Sequence, residues 1–209
     1  MSMANEDPVE GTKIRIREGA EVLELGYDGA MTEHTSSLWW GTAVAYRAMQ
    51  AAARALSKES LWSRDNLYVV SAHPGPGVID AIEYVTRARS RQRFMCVTDD
   101  SCQTKCNSTM KFEWWVSDGN RTAVVKLRED FVPWAFYDLA DRLGRPDTTR
   151  EDKKLFSIFK VELSARIWVA PLEESYSVHV LDSPLEVGAV PDEVKGAKYW
   201  DNTAARQNV

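Results

Sequence analysis

The sequence predicts an α+β domain in which an antiparallel sheet is packed by several long helices. Three patterns carry that expectation. Apolar residues recur at three- and four-residue intervals over Leu38, Gly41, Ala45, Ala48, Met49, Ala52 and Leu56, which places them on one helical face. Val78, Ile79, Ile82 and Val85 repeat the pattern further on. Residues 122–127 instead alternate, with Ala123, Val125 and Leu127 set against Thr122, Val124 and Lys126, as in a half-buried strand. Ser117-Asp118-Gly119-Asn120 separates that strand from another at 111–116 and has the composition of a hairpin turn.

In order along the chain, residues 1–12 read as a loose arm, and 13–25 as one short strand or helical turn broken at Tyr27-Asp28-Gly29. Residues 1–33 thus form an arm and a first element. Ser36 or Ser37 can cap the first long helix, 36–56, by accepting hydrogen bonds from amides of its first turn. Its many alanines let another element approach closely. Asp65-Asn66 signals a turn and 67–71 a buried strand. The loop Pro74-Gly75-Pro76-Gly77 follows, with Pro76 suited to a first helical position, and a helix runs over 78–89. Arg87, Arg89, Arg91 and Arg93 suit the negative end of that helix and read as a solvated terminus. A strand at 94–97 carries Cys96, read as a packing residue, and leads into a segment holding Cys102 and Cys106. Helices are expected at 131–143, closed by Gly144, and at 149–169. A turn at 171–174, an edge strand at 176–181 and an irregular tail from Pro184 complete the chain. The main domain is therefore 34–183, with 184–209 as tail.

Composition narrows the functional classes. A chain of 209 residues, 44% apolar and 27% charged, fits one large soluble domain. A net charge of −5 recommends neither nucleic acid nor an anionic membrane as partner. The polar N-terminus lacks a signal-peptide core, and no apolar run reaches the roughly 18–20 residues of a membrane span. A cytoplasmic protein is the expectation, and three cysteines in a reducing compartment argue against a disulfide framework. Eight tryptophans, including the pairs Trp39-Trp40 and Trp114-Trp115, either fill a core or interface or line a pocket for a large flat ligand.

Residues 67–111 hold His73 and all three cysteines, and this coincidence of scarce residues points to chemistry. Two chemistries are open. His34, His73, Cys102 and Cys106 could share zinc or iron, since tetrahedral zinc takes thiolate and imidazole and the Cys102–Cys106 interval permits joint coordination. Alternatively Cys102 or Cys106, its thiolate favoured by Lys105 and opposed by Asp99 and Asp100, could act as a nucleophile with His34 or His73 as base. Gly75-Pro76-Gly77 lacks the spacing of a phosphate-binding loop, and Pro76 removes a donor, so it reads as turn chemistry around His73.

The element order and four strings resemble the E-subunit family of formylmethanofuran dehydrogenase, with its stand-alone homologues. Gly41-Thr42-Ala43-Val44-Ala45-Tyr46-Arg47-Ala48 resembles the family's G-x-A-x-G-Y-R-A helix, and Asp80-Ala81-Ile82-Glu83 its D-A-I-Q helix. Residues 102–107 are similar to its G-C-T-x-G-K-x-N loop, slightly shortened, and Ala170-Pro171-Leu172-Glu173-Glu174-Ser175-Tyr176 to its A-P-x-E-E-L-F ending. The resemblance spans residues 34–181 and implies an E-subunit-like domain, a homodimer and a metal site at the head of the first helix. It also implies that this site has diverged. Where the family has F-H-G-H-x-C-P-G, this chain has His34-Thr35-Ser36-Ser37-Leu38-Trp39-Trp40-Gly41, with Ser37 at the second histidine and Trp39 at the cysteine. His73 and Gly77 replace the family's residues before the D-A-I-Q helix, only Cys102 matches a family cysteine, and no zinc-ribbon pairs follow residue 106. Exchanging ligands for tryptophan suits a flat molecule such as haem, a flavin or an aromatic substrate, held by His34, Ser37, Trp39, Trp40 and His73. Haem would need one axial imidazole, from His34 or His73. The function implied is binding of a metal or metal-containing cofactor for redox or small-molecule chemistry. The alternatives are a non-catalytic haem or metal carrier or sensor, and a structural subunit with a decayed site.

Overall fold

The computed structural model describes residues 7–33, 39–98, 107–143, 145–194 and 198–200. The chain is α+β. It begins with an antiparallel three-stranded sheet of β1 (Val9–Glu10), β2 (Lys13–Glu18) and β3 (Glu21–Gly26). With residues 1–6 of the arm outside the described residues, 9–26 of the expected loose arm and single element thus form a paired meander. Its cause is the alternation Lys13-Ile14-Arg15-Ile16-Arg17, which sends Ile14 and Ile16 into the core while the charged residues stay outside. β3 ends at Gly26 and α1 (Tyr27–Glu33) starts at the next residue, so the expected break is a junction.

α2 (Trp39–Leu56) is the central helix and is buried around most of its circumference. Beneath it lies a six-stranded sheet, built from β4 (Tyr68–Ser71), β5 (Phe94–Thr98), β6 (Glu113–Ser117), β7 (Thr122–Leu127), β8 (Tyr176–Leu181) and β9 (Lys198–Trp200). Its order is β8-β7-β6-β4-β5-β9. Neighbours are antiparallel except β4 and β5, whose connection contains α3 (Pro76–Thr86). A helical crossover returns the chain to the same end of the sheet and makes this one pair parallel within the otherwise antiparallel sheet that was expected. α4 (Trp134–Arg142) and α5 (Arg150–Val169) follow β7, and the short α6 (Leu172–Ser175) replaces the expected turn before β8. Thr149 caps α5 in a reciprocal pair with Asp152.

The sheet separates two cores. Trp114 faces α2 and Trp115, one residue on, faces the other side. That second side is covered by Leu185, Val190 and Val194 from the segment expected to be irregular. Tyr68 Oη donates to the Ala189 carbonyl at 2.8 Å and Trp115 Nε1 to Glu193 Oε1 at 3.3 Å, fixing this cover. Arg91, expected in a solvated helix end, bonds Glu18 and Asp65, and buried Arg64 joins Glu18 to the Tyr84 and Val85 carbonyls. Among the described residues, no helix is long and apolar enough to cross a membrane.

Glycine at 41 is what lets α2 meet α3. A Cβ there would lie 3.3 Å from the Val78 amide nitrogen and 3.6 Å from the Gly77 backbone. Gly41→Val is expected to push the helices apart and lower the unfolding free energy by about 2 kcal/mol, the usual cost of overpacking. Urea unfolding measures this, and an unchanged midpoint would show that the contact is slack.

Candidate functional site

The loop between β4 and α3 is built around His73. Ser71 Oγ accepts from the His73 amide at 3.2 Å and donates to its carbonyl at 3.1 Å. His73 Nδ1 in turn accepts from the Gly75 amide at 3.0 Å. The imidazole folds back so tightly that a Cβ at position 75 would stand 2.7 Å from His73 Cε1, so glycine is required there. The Gly75 carbonyl then accepts from the Val78 and Ile79 amides and launches α3. His73 is 4% exposed and packs on Phe112, ring centres 4.6 Å apart. Burial pushes its pKa down to about 4, so the ring is neutral at neutral pH. Since Nδ1 accepts, the proton belongs on Nε2.

Phe112 has Trp40 as another neighbour, at 5.7 Å. Trp40, in the first turn of α2, also stacks on Phe131 with ring planes 2° apart and centres 6.1 Å apart. Trp114 extends this aromatic wall from Phe112 to Tyr176, whose hydroxyl donates to the Val44 carbonyl of α2 at 2.6 Å. Trp40 Nε1, Thr42 Oγ1 and Trp114 Nε1 are all buried without a hydrogen-bond partner. Buried polar groups are nearly always paired, and each unpaired one costs about 1–3 kcal/mol. Two of the three, the Trp40 and Trp114 indoles, belong to this aromatic wall. Trp39, the residue before Trp40 in α2, is 51% exposed.

The structure therefore brings Trp40 and His73 onto one aromatic cluster through Phe112, while Trp39 is exposed in the first turn of α2. His34, Ser37, Cys102, Lys105 and Cys106 lie outside the described residues. Cys96 is buried in β5, and His179 is exposed on β8 at the far edge of the sheet. Of the tryptophans, Trp40, Trp62, Trp114 and Trp115 are buried, whereas Trp134 is exposed. Sequence reasoning singled out the Trp114-Trp115 pair but missed Phe112 and Phe131 as members of this cluster. The alternation Phe112, Trp114, Val116 marks one face of a strand, and it was the available signal for Phe112.

His73 as arranged does not fit a metal. A ligating Nε2 must be unprotonated, which in a neutral ring moves the proton to Nδ1, directly against the Gly75 N–H. Among the described residues, no three His, Cys, Asp or Glu side chains converge on a point. Two cavities, of about 630 and 340 Å³, flank the β6–β7 turn and share Asn66, Asp118 and Asn120. None of the residues expected at the site lines either. No protein-family model matches the chain, and no curated protein does.

Proposed function

We propose that this protein binds a flat organic molecule bearing oxygen acceptors against the aromatic wall at the head of α2. On this reading it is a divergent, stand-alone relative of the E-subunit family in which aromatic surface has taken the place of a metal site. The supporting observation is the pair of unpartnered indole donors on that wall, Trp40 Nε1 and Trp114 Nε1. An indole nitrogen can only donate, so its missing partner is an acceptor. Helical side chains lean towards the N-terminus, so Trp40, in the first turn, is directed to the head of α2. Carbonyl or carboxylate oxygens on a planar ring system would satisfy the donors and stack on the rings at once. Haem, flavins and aromatic acids share that chemistry.

Titration with haemin, with flavin mononucleotide and with an aromatic carboxylate, followed by tryptophan fluorescence and thermal shift, tests the reading. At least one is expected to bind and to raise the melting temperature, as a ligand specific to the folded state does. Trp40→Phe keeps the ring surface and removes the donor, so its affinity should fall about tenfold, the worth of one hydrogen bond of roughly 1.4 kcal/mol. Failure of all three probes to bind below about 1 mM, or equal binding by Trp40→Phe, would sink it.

A further inference from the structure

The larger cavity beside the β6–β7 turn, of about 630 Å³, lies within the roughly 300–1,000 Å³ of small-molecule sites. Each piece of chain that walls it is tied down. The segment after α2 is held to β2: the Arg17 amide donates to the Trp62 carbonyl at 3.0 Å, the Arg64 amide to the Arg17 carbonyl at 2.9 Å, and Trp62 Nε1 to the Arg15 carbonyl at 2.9 Å. The β6–β7 turn closes on Asp118, whose Oδ1 accepts from the Asn120 and Arg121 amides at 2.9 and 2.8 Å. Past β8 the chain is fixed by Thr122 Oγ1, which donates to the Ser183 carbonyl at 2.9 Å. The chamber is therefore preformed. Its charges are balanced but not joined. Arg17 and Arg121 bring two guanidiniums, and Glu59 and Asp182 two carboxylates, whereas Asp118 already serves its own turn. Arg121 commits one nitrogen to the Leu56 carbonyl at 2.9 Å. The side chains of Arg17, Glu59 and Asp182 have no hydrogen-bond or ion-pair partner among the described residues. Nearby charges do pair: Lys13 with Glu24, Arg64 with Glu18, and Arg91 with Glu18 and Asp65.

We propose that this chamber binds a short zwitterionic peptide, its carboxylate held by Arg17 and Arg121 and its ammonium by Glu59 and Asp182. A simple anion would face the two carboxylates, and a simple cation the two guanidiniums, so like charge disfavours both. A molecule carrying one group of each sign meets both sets at once, and guanidinium is the cation whose planar fork fits a carboxylate. The length follows from the volume. The cube root of the chamber's volume is about 9 Å, which two or three extended residues span at roughly 3.3–3.6 Å each. The peptide groups between the two ends would meet Asn66 and Asn120, whose side-chain amides both donate and accept and are engaged by nothing else among the described residues. No residue of the aromatic wall lines this chamber, so the two sites are independent.

Chemical-shift titration of the full chain at low salt tests this, with triglycine, triglycine amide, N-acetyl-triglycine, succinate and putrescine as probes. Triglycine should bind with a dissociation constant below about 1 mM, and each blocked peptide at least about tenfold more weakly. The shifted amides should include those of Ser63 and Asn120. Arg17→Gln and Asp182→Asn alter side chains that the fold does not use, so both variants should fold normally. Arg17→Gln should bind triglycine and triglycine amide within about threefold of each other, because the carboxylate has lost its partner. Asp182→Asn should do the same for triglycine and N-acetyl-triglycine. No saturable shift with triglycine up to about 10 mM would overturn the proposal. So would shifts confined to another part of the molecule, or variants that keep the full discrimination between free and blocked ends. Succinate binding as tightly as triglycine would replace it with an anion site, and putrescine doing so with a cation site.

Discussion

Arg47→Ala is expected to cost about 3 kcal/mol of stability, among the largest effects of any single substitution on the frame. Arg47 is buried in α2, yet its hydrogen bonds go to carbonyl oxygens and not to a carboxylate. Its Nε donates to the Ile167 carbonyl at 3.1 Å, one terminal nitrogen to the Ala170 carbonyl at 2.6 Å and the other to Gln50 Oε1 at 2.9 Å. Burial pulls its pKa down, but arginine remains charged. What compensates the buried charge is the negative end of α5, whose last carbonyls have no partner within the helix. The guanidinium also lies 5.5 Å from the Trp168 ring centre. Alanine would orphan those carbonyls and strip the cover from Trp168. Chemical denaturation reads the loss. Hydrogen exchange should place the added opening at the C-terminal turn of α5, and Arg47→Lys should recover only part of it because one ammonium cannot reach three acceptors. A loss below about 1 kcal/mol would mean that water takes over the carbonyls at little cost.

The same contact shows what the sequence could and could not disclose. Arg47 and Tyr46 lie in one string that carried the resemblance, and Ala170 and Tyr176 in another. Arg47 bonds Ala170, and Tyr176 bonds Val44. Tyr46 Oη lies within 2.9 Å of the Thr12 and Leu25 carbonyls, tying α2 to the small sheet. These strings therefore describe how the frame is joined and are silent on what the site holds. Long elements were legible because apolar periodicity is a local property: α2, α3, α4, α5 and the β6–β7 hairpin were all expected within a few residues of their bounds. The first sheet was not, although Ile14 and Ile16 alternate, because two-residue β1 exists only through its pairing with β2. The cover made by Leu185, Val190 and Val194 has no period at all; three apolar residues were enough once the back of the sheet supplied a surface. At the site, His73 and Trp40 stood out by rarity and position. Phe112 could be read only as a strand-face position and Phe131 not at all, since which aromatic faces which is settled by sheet register and by where α2 lands. His73 was legible as a position but not as a state: only the 3.0 Å bond from Gly75 reveals which nitrogen is committed.

That state makes His73 a source of acid instability. Its folded pKa of about 4 lies below the ordinary 6.5, and burial is the whole cause. Above pH 6.5 the ring is neutral folded or unfolded and contributes no pH dependence. Between 6.5 and 4 the unfolded chain takes up a proton that the folded chain refuses, so stability falls with pH and levels off below 4. At about 1.4 kcal/mol per unit the full loss is about 3 kcal/mol. The carboxylates also titrate towards the lower end of this window, so the measurement is a difference. His73→Asn does not titrate, and its side-chain oxygen can still accept from the Gly75 amide. Urea midpoints of both proteins from pH 4 to 7.5 should converge as pH falls, the wild type losing about 3 kcal/mol more than the variant. Parallel curves would mean that His73 gains its proton in the folded state without penalty, through an opened loop. The imidazole would then be reachable from solvent, and the neutral ring with its proton on Nε2 would have to be abandoned together with the objection to His73 as a metal ligand.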